Sequence, residues 1–86
     1  MKVRVSSVLF DYTGDRRELE ARGATLAAVL ADLERRHPGL RFRVVDEQGR
    51  VRQHMNIFIG GQRARDLDAH VGPDDEVCIL QALSGG

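Results

Sequence analysis

Residues 24–39 read ATLAAVLADLERRHPG, and this stretch decides the fold because it contains the clearest helix of the chain. Its large apolar residues recur at intervals of three and four, which places them on a single helix face: Leu26, Val29, Leu30 and Leu33. Thr25 is expected to be the N-cap, since its hydroxyl oxygen can accept a backbone N–H of the first turn. The Pro38-Gly39 pair is expected to end the helix. The pattern therefore predicts one amphipathic helix that covers one face of a sheet.

Two short strands are predicted before this helix. A polar–apolar alternation that begins at Val3 predicts a half-buried strand over residues 3–10. Residues 11–15 read DYTGD, which is typical of a turn, and the alternation resumes over residues 17–21. The two strands are therefore expected to form a hairpin with Leu19 facing the core.

Further strands are predicted after the helix, separated by turn residues. They are expected over residues 40–45, over residues 55–59, as a short return from 64 to 67, and over residues 76–82. Alternation puts Leu40, Phe42 and Val44 on one face of the first of these, and Gly60-Gly61 is typical of a tight hairpin turn. This order of strands around one helix predicts an α+β fold.

The first and last strands are expected to be parallel neighbours at the centre of the sheet. That arrangement is the ubiquitin-like β-grasp, a mixed sheet of four to five strands packed on one main helix. We expect residues 1–82 to form this domain and residues 83–86 to form a flexible C-terminal tail.

Composition excludes several classes of function. The 86 residues leave room for one small domain, and 13 basic residues balance 13 acidic ones, so no nucleic-acid or anionic-membrane partner is expected. The single cysteine, Cys78, excludes an internal disulfide and multi-cysteine metal sites. No stretch approaches the roughly 20 apolar residues of a membrane helix, and no cleavage signature follows Met1, so a cytoplasmic protein is expected.

No catalytic or metal site is predicted. His37, His54 and His70 lie far apart without ligand spacing, and Cys78 lies in the middle of a predicted strand. Asp74-Asp75 is an adjacent pair that suits a turn better than acid–base chemistry. A domain of this size also has little room for a deep pocket, which argues against an autonomous enzyme.

The C-terminal pair Gly85-Gly86 is the feature that points to chemistry. Two specified positions are both glycine by chance in about 0.5% of chains. A C-terminal carboxylate can be activated by ATP as an acyl-adenylate, and glycine gives the thin backbone needed to enter another protein's active site. Gly86 would then present an unhindered acyl carbon to a sulfur or nitrogen nucleophile. The alternative is an incidental tail, because a frayed end also tolerates glycine.

An apolar patch beside this tail is also predicted. If Ile57 and Ile59 face the helix, Phe58 points outward and shares the outer sheet face with Cys78 and Leu80. Such a patch favours a docking surface, unless residues 40–45 or a second copy of the chain covers it. Acidic residues after Arg65 are expected either to complement a basic partner or to be solvated turn charges: Asp66, Asp68, Asp74, Asp75 and Glu76.

Several segments together resemble the ubiquitin-like bacterial sulfur carriers, which include the small subunit of molybdopterin synthase and the thiamine-thiazole sulfur carrier. The resemblance is carried by residues 82–86 (ALSGG), residues 72–77 (GPDDEV), Met55-Asn56-Ile57 and the helix over residues 25–33. Within that family, the chain looks most like the members that serve cysteine biosynthesis.

This resemblance implies a role for the tail. An E1-like enzyme would adenylate the Gly86 carboxylate and convert it to a thiocarboxylate, whose sulfur then goes to an acceptor enzyme. Ser84, Gly85 and Gly86 would form the reactive tail, and Phe58 and Leu80 would match apolar positions on the partner-facing surface. The carrier would hold no metal or cofactor of its own, ATP being used by the activating enzyme, and would catalyse nothing alone.

Three alternatives remain open at this point. A ubiquitin-like modifier would give the same activated end to a lysine amine. Long chains linked through internal lysines are not expected, since Lys2 is the only lysine of this protein. A small subunit of molybdopterin synthase would be half of an enzyme. A β-grasp interaction domain would make no use of its tail.

Overall fold

A five-stranded mixed sheet forms one layer of the protein, in the computed structural model that describes residues 1–81. The strands are β1 (Lys2–Val5), β2 (Glu18–Glu20), β3 (Met55–Ile59), β4 (Gln62–Ala64) and β5 (Val77–Gln81), in the order β2-β1-β5-β3-β4. β1 and β5 are parallel, and every other neighbouring pair is antiparallel. The predicted β-grasp is therefore confirmed. The tail predicted for residues 83–86 lies outside the described residues.

The helices are α1 (Phe10–Thr13), α2 (Leu26–Arg36) and α3 (Leu40–Val44), and a 3-10 turn at Ser7–Leu9 precedes α1. The four predicted apolar residues of α2 are completely buried, as are Val3, Val77, Ile57 and Ile79 from the central strands. Burial of a Leu, Val or Ile side chain contributes about 1.5–3 kcal/mol, so this layer of side chains is the main source of stability.

α2 begins where the sequence predicts. The Thr25 Oγ accepts the backbone N–H of Ala28 at 3.2 Å, which confirms Thr25 as the N-cap. Near the other end of α2, the buried Asp32 carboxylate accepts the backbone N–H of Arg22 at 2.9 Å. This bond ties the helix to the end of β2.

The predicted strand over residues 40–45 is wrong, because residues 40–44 form α3. Leu40 and Val44 are buried, and their spacing of four residues suits one face of a helix as well as one face of a strand. Phe42 separates the two cases, since two residues of helix turn the chain by about 200°. Its side chain is 55% exposed and lies away from the core.

A side chain on α2 caps α3. The Glu34 carboxylate accepts the backbone N–H of Gly39 at 2.9 Å with one oxygen and that of Arg41 at 3.0 Å with the other. Gly39 has a φ of 95°, a left-handed conformation that turns the chain from α2 into α3. These bonds lower the pKa of Glu34 below its ordinary value of 4.5. The alternation of residues 40–45 contains no sign of this distant cap.

Two predicted strand boundaries also shift. β1 ends at Val5 and not at Phe10, because alternation stops after Val5 and the following helical turns bury Leu9. β4 spans Gln62–Ala64 and not residues 64–67, because pairing resumes directly after the two-residue Gly60-Gly61 turn. Within residues 1–81, no helix has the length and apolar character needed to span a membrane.

Glu34→Ala is expected to destabilise the protein by about 1–2 kcal/mol at about pH 7, because both backbone donors at the start of α3 lose their acceptor. The pKa of Glu34 is lowered in the folded state, so this stabilisation is complete above its ordinary value of 4.5 and is lost as the pH falls through the folded pKa. Urea denaturation at several pH values measures the difference between wild type and variant.

Glu47→Ala is the matched control, since Glu47 is exposed in the turn after α3 and forms no side-chain hydrogen bond or ion pair with residues 1–81. Its unfolding free energy should equal that of the wild type. A Glu34→Ala deficit that persists unchanged at about pH 3 would contradict the capping role.

Candidate docking face and base of the C-terminal tail

The outer face of the sheet, opposite α2, carries one continuous row of side chains. Strand register places Phe58 beside Cys78, Cys78 beside Arg4 and Arg4 beside Glu18, with Arg63 on the other side of Phe58. Each of the five strands contributes one residue to this row. The apolar pair Phe58 and Cys78 therefore lies near the middle of the sheet, flanked by charged residues.

The three residues predicted for a docking patch lie together on this face. Leu80 follows Cys78 at a spacing of two on β5 and lies diagonally from Phe58, opposite Asn56. Leu80 is 37% exposed, whereas Phe58 and Cys78 are half-buried, so the accessible apolar surface is smaller than three exposed side chains would give. We call Phe58, Cys78 and Leu80 the outer patch.

Residues 40–44 do not cover the outer patch. They form α3, which packs against α2 on the opposite side of the sheet and buries Leu40 and Val44 there. Of the two ways in which the outer patch was expected to be covered, by residues 40–45 or by a second copy of the chain, the first is therefore excluded.

Paired charges border the outer patch. Arg4 lies between two carboxylates, 3.3 Å from Glu76 and 3.6 Å from Glu18, and Lys2 lies 3.7 Å from Glu18. Arg63 donates to the Asn56 side-chain oxygen at 2.9 Å. Exposed pairs of this kind add at most about 1 kcal/mol each to stability, so their main effect is to fix the polar border of the patch.

The Cys78 thiol is held in its protonated form. Burial raises the pKa of Cys78, and the neighbouring Glu76 carboxylate raises this pKa further, by accepting a bond from Sγ at 3.5 Å and by its charge. Arg4 opposes this shift with its positive charge. The environment therefore disfavours the reactive thiolate.

The base of the tail is anchored to the loop after β1. The Gln81 backbone N–H donates to Ser6 Oγ at 3.2 Å, and the Ser6 backbone N–H donates to the Ile79 carbonyl at 3.0 Å. Sequence reasoning missed Ser6, since only the parallel pairing of β1 with β5 brings these residues together. Ser84, Gly85 and Gly86 lie outside the described residues.

The acidic residues after Arg65 do not gather at the base of the tail. Asp74, Asp75 and Glu76 precede β5, so they lie at the end of that strand opposite Gln81. Asp75 is used locally, since its carboxylate accepts the Gly72 backbone N–H at 2.8 Å. Asp66 and Asp68 line a separate shallow cleft with Arg50 and Arg65.

The histidines are also apart. His37 Nδ1 lies 3.2 Å from the Tyr12 carbonyl oxygen, whereas His54 and His70 are exposed. Within residues 1–81, no group of three or more His, Cys, Asp or Glu side chains is arranged to hold a metal ion.

Comparison with known proteins gives a consistent result. The model of the ThiS family matches residues 3–86 of this chain. The sulfur carrier protein CysO of Mycobacterium tuberculosis is 32% identical over 89 residues, which cover 98% of this chain and 96% of that protein.

Solved structures agree with the sequence match. A chain in the crystal structure of the Amycolatopsis orientalis BexX/CysO complex superposes with a TM-score of 0.89 at 31% identity, covering 99% of this chain and 98% of that one. The crystal structure of Mycobacterium tuberculosis CysO gives a TM-score of 0.89 at 29% identity, with 95% and 98% coverage. The small archaeal modifier protein SAMP1 of Haloferax volcanii gives 0.76 at 28% identity, with 100% and 98% coverage.

We expect Cys78 to react slowly with a thiol reagent in the folded protein, because a raised pKa leaves little thiolate at neutral pH. Glu76→Gln should accelerate the reaction, since it removes the carboxylate that raises the pKa of Cys78. The rate of maleimide labelling, followed by intact mass, measures both effects.

The labelling rate of each variant unfolded in urea, where Cys78 should react like a free cysteine, is the reference for its rate in the folded state. Glu47→Gln removes a carboxylate in the turn after α3, which is not among the groups that shift the pKa of Cys78, and should leave the rate unchanged. Equal rates for wild type and Glu76→Gln would contradict the assigned environment.

Proposed function

The chain belongs to the ThiS family, and from this premise we propose that it is a sulfur carrier whose C-terminal Gly86 is converted to a thiocarboxylate. The resemblance drawn from the sequence is confirmed at the level of the family, because the ThiS match spans residues 3–86. The observation that carries the proposal is that this match includes Gly85-Gly86, which follow in the sequence shortly after the end of the central strand β5 at Gln81.

The proposed chemistry takes place in two steps on a partner enzyme. The Gly86 carboxylate attacks the α-phosphorus of ATP, which forms an acyl-adenylate and releases pyrophosphate. Sulfide then attacks the acyl carbon and displaces AMP, leaving the thiocarboxylate at Gly86. An E1-like adenylating enzyme supplies the active site for both steps. This chain supplies the acyl group and the surface by which it is held.

The fold is suited to presenting the C-terminal acyl group to a partner enzyme. Gln81 is fixed by its bond to Ser6, so the residues beyond it start from a defined point on a rigid sheet. Glycine at positions 85 and 86 adds no side chain to the segment that must enter a narrow site. The proposed use of ATP also fits the cytoplasmic location expected from the sequence.

The outer patch is proposed as the docking surface for the activating enzyme. It lies on β3 and β5, so it adjoins the base of the tail, and Leu80 is the residue next to Gln81. A partner that buries Leu80 and the exposed part of Phe58 would gain apolar contact, while Arg4, Arg63 and Glu18 would remain at a polar rim. The acceptor enzyme that takes the sulfur is proposed to be one of cysteine biosynthesis, as the likeness to CysO suggests.

A second candidate function is a ubiquitin-like modifier, favoured by the likeness to the archaeal modifier SAMP1 at 28% identity. In that case a lysine amine, and not sulfide, attacks the same acyl-adenylate. The products differ, since a modifier forms isopeptide adducts on other proteins and a carrier forms a thiocarboxylate. Mass spectrometry of tagged protein recovered from cells separates the two.

Incubation with ATP, sulfide and an E1-like enzyme from the same organism is expected to raise the intact mass by the exchange of one oxygen for sulfur. Fragmentation should map this exchange to Gly86. A variant that lacks Gly86 is expected to fold normally and to show no exchange. Retained thiocarboxylation in that variant, or no exchange in the folded wild type, would overturn the proposed function.

Leu80→Arg is expected to raise the KM of the activating enzyme for the carrier about tenfold while kcat is unchanged, because a charge replaces an apolar contact at the docking surface. Gln62→Arg is the matched control, since Gln62 is exposed on β4 and pairs with the opposite end of β3. Pyrophosphate release at varied carrier concentration measures both constants. Equal KM values for the two variants would exclude the outer patch as the docking surface.

A further inference from the structure

The two large apolar side chains that are exposed within residues 1–81 are Leu80, at 37%, and Phe42, at 55%. Leu80 belongs to the outer patch, but Phe42 lies on α3, on the other side of the sheet, and has no part in the function described so far. A single exposed apolar residue is normal on a protein surface, so the position and surroundings of Phe42 decide whether it matters.

Phe42 lies on the same end of the molecule as the base of the tail. Arg52 connects the two, since its Nε donates to the Phe42 carbonyl at 2.8 Å and its own carbonyl accepts the Met55 backbone N–H at 2.9 Å. Met55 is in turn the strand partner of Gln81, the last residue of β5. Only a short chain of direct contacts therefore separates Phe42 from the point where the tail begins.

The Phe42 ring packs against the Arg52 side chain. The Arg52 guanidinium carbon lies 4.6 Å from the ring centroid, which is the geometry of a cation–π contact. The Arg52 backbone N–H also donates to the Val44 carbonyl at 2.9 Å, so Arg52 is fixed at both ends. The ring remains more than half exposed despite this contact, so a rigid aromatic surface is presented to solvent.

Two arginine side chains flank this ring. Arg43 is exposed next to Phe42, and neither Arg43 nor Arg52 has a carboxylate within 4.0 Å among the described residues. The nearby Asp46 carboxylate interacts with the charge of Arg52, but its ion pair is with Arg50, at 3.7 Å. The acidic residues 74–76 lie at the opposite end of β5. Arg43 and Arg52 therefore place positive charge beside the Phe42 ring, although the formal charge of the whole chain is zero. We call Phe42, Arg43 and Arg52 the basic rim.

We propose that the basic rim is a second docking surface, which binds a carboxylate-bearing surface of the activating enzyme beside the entrance to its adenylation site. This inference rests on the proposed function, because it assumes an enzyme that takes the tail. The partner would hold the base of the tail from both sides, with apolar contacts to the outer patch and carboxylates against the basic rim. Arginine suits this role, since its planar guanidinium can donate two parallel bonds to one carboxylate.

Two other occupants fit the surface less well. A nucleic acid would need a far larger basic area than one rim on a chain with no net charge. A second copy of this chain could offer its acidic residues 74–76, but such a head-to-tail contact would generate rings or open chains of molecules and would not place a partner's active site beside the tail. An acidic partner enzyme satisfies both the charge of the rim and its position beside the tail.

The test compares charge and apolar variants in the activation reaction, with an E1-like adenylating enzyme from the same organism, at low and at high salt. Phe42→Ala and Arg43→Glu are each expected to raise the KM for the carrier about fivefold to tenfold while kcat is unchanged. The effect of Arg43→Glu should shrink at high salt, because salt screens charge, whereas that of Phe42→Ala should persist.

Arg22→Glu is the matched control, since it makes the same change of charge at an exposed site beside Ala21 and Met1, at the opposite end of the sheet. Its KM should equal that of the wild type. Arg43 forms no side-chain bond with residues 1–81, so Arg43→Glu keeps the fold and is decisive if Phe42→Ala is destabilised. Thermal melting of each variant checks this.

Unchanged KM values for folded Phe42→Ala and Arg43→Glu, with an active wild type, would overturn the basic rim and leave the proposed function standing. An equal loss with Arg22→Glu would also overturn it, since the effect would then come from net charge alone. A wild type that is never activated would overturn both proposals. Concentration-dependent association of the wild type that Arg43→Glu abolishes, measured by sedimentation, would assign the rim to a second copy instead.

Discussion

β1 and β5 pair in parallel at the centre of the sheet, with Val3 beside Val77 and Val5 beside Ile79. Parallel neighbours cannot be joined by a tight turn, so the entire chain between them must cross over, and α2 does so while covering the apolar face. The same pairing brings the chain end of β5 next to Ser6, whose hydroxyl accepts the Gln81 backbone N–H. The position of Gln81, the last residue of β5, is thus a consequence of the same pairing that forms the centre of the sheet.

Sequence patterns predict those parts of the fold that depend on interactions between residues close in the chain. The Thr25 cap and the apolar face of α2 need only neighbouring residues, and the Gly60-Gly61 turn has a positive φ at both positions, 56° and 85°, as a two-residue hairpin requires. α3 could not be predicted in this way. Leu40 and Val44 fit both the helical and the strand period. The start of the helix is capped by the Glu34 carboxylate, which belongs to α2 and lies outside the alternating segment.

The residues of the candidate site also fall into two groups: those that local sequence patterns predict and those that only tertiary contacts bring together. The outer patch was predictable because alternation along β3 and β5 fixes which side chains share a face, and register then places Phe58 beside Cys78. Ser6 and the Phe42–Arg52 contact were not predictable, since each joins segments that only the tertiary fold brings together. Alternation predicts Phe42 on the same strand face as Leu40 and Val44, whereas α3 turns it away from both.

A domain of 86 residues uses nearly all of its large apolar side chains to form one core, so its chemistry has to lie at an edge. Here the edge is the end of β5, where the strand at the sheet centre reaches Gln81. Hydrogen bonding up to Gln81 limits the entropy that a partner must remove on binding, because the strand that leads to the tail is already fixed in the sheet. The surfaces on either side of that point, with Leu80 on one and Phe42 on the other, are then the places where a partner that takes the tail can gain apolar contact.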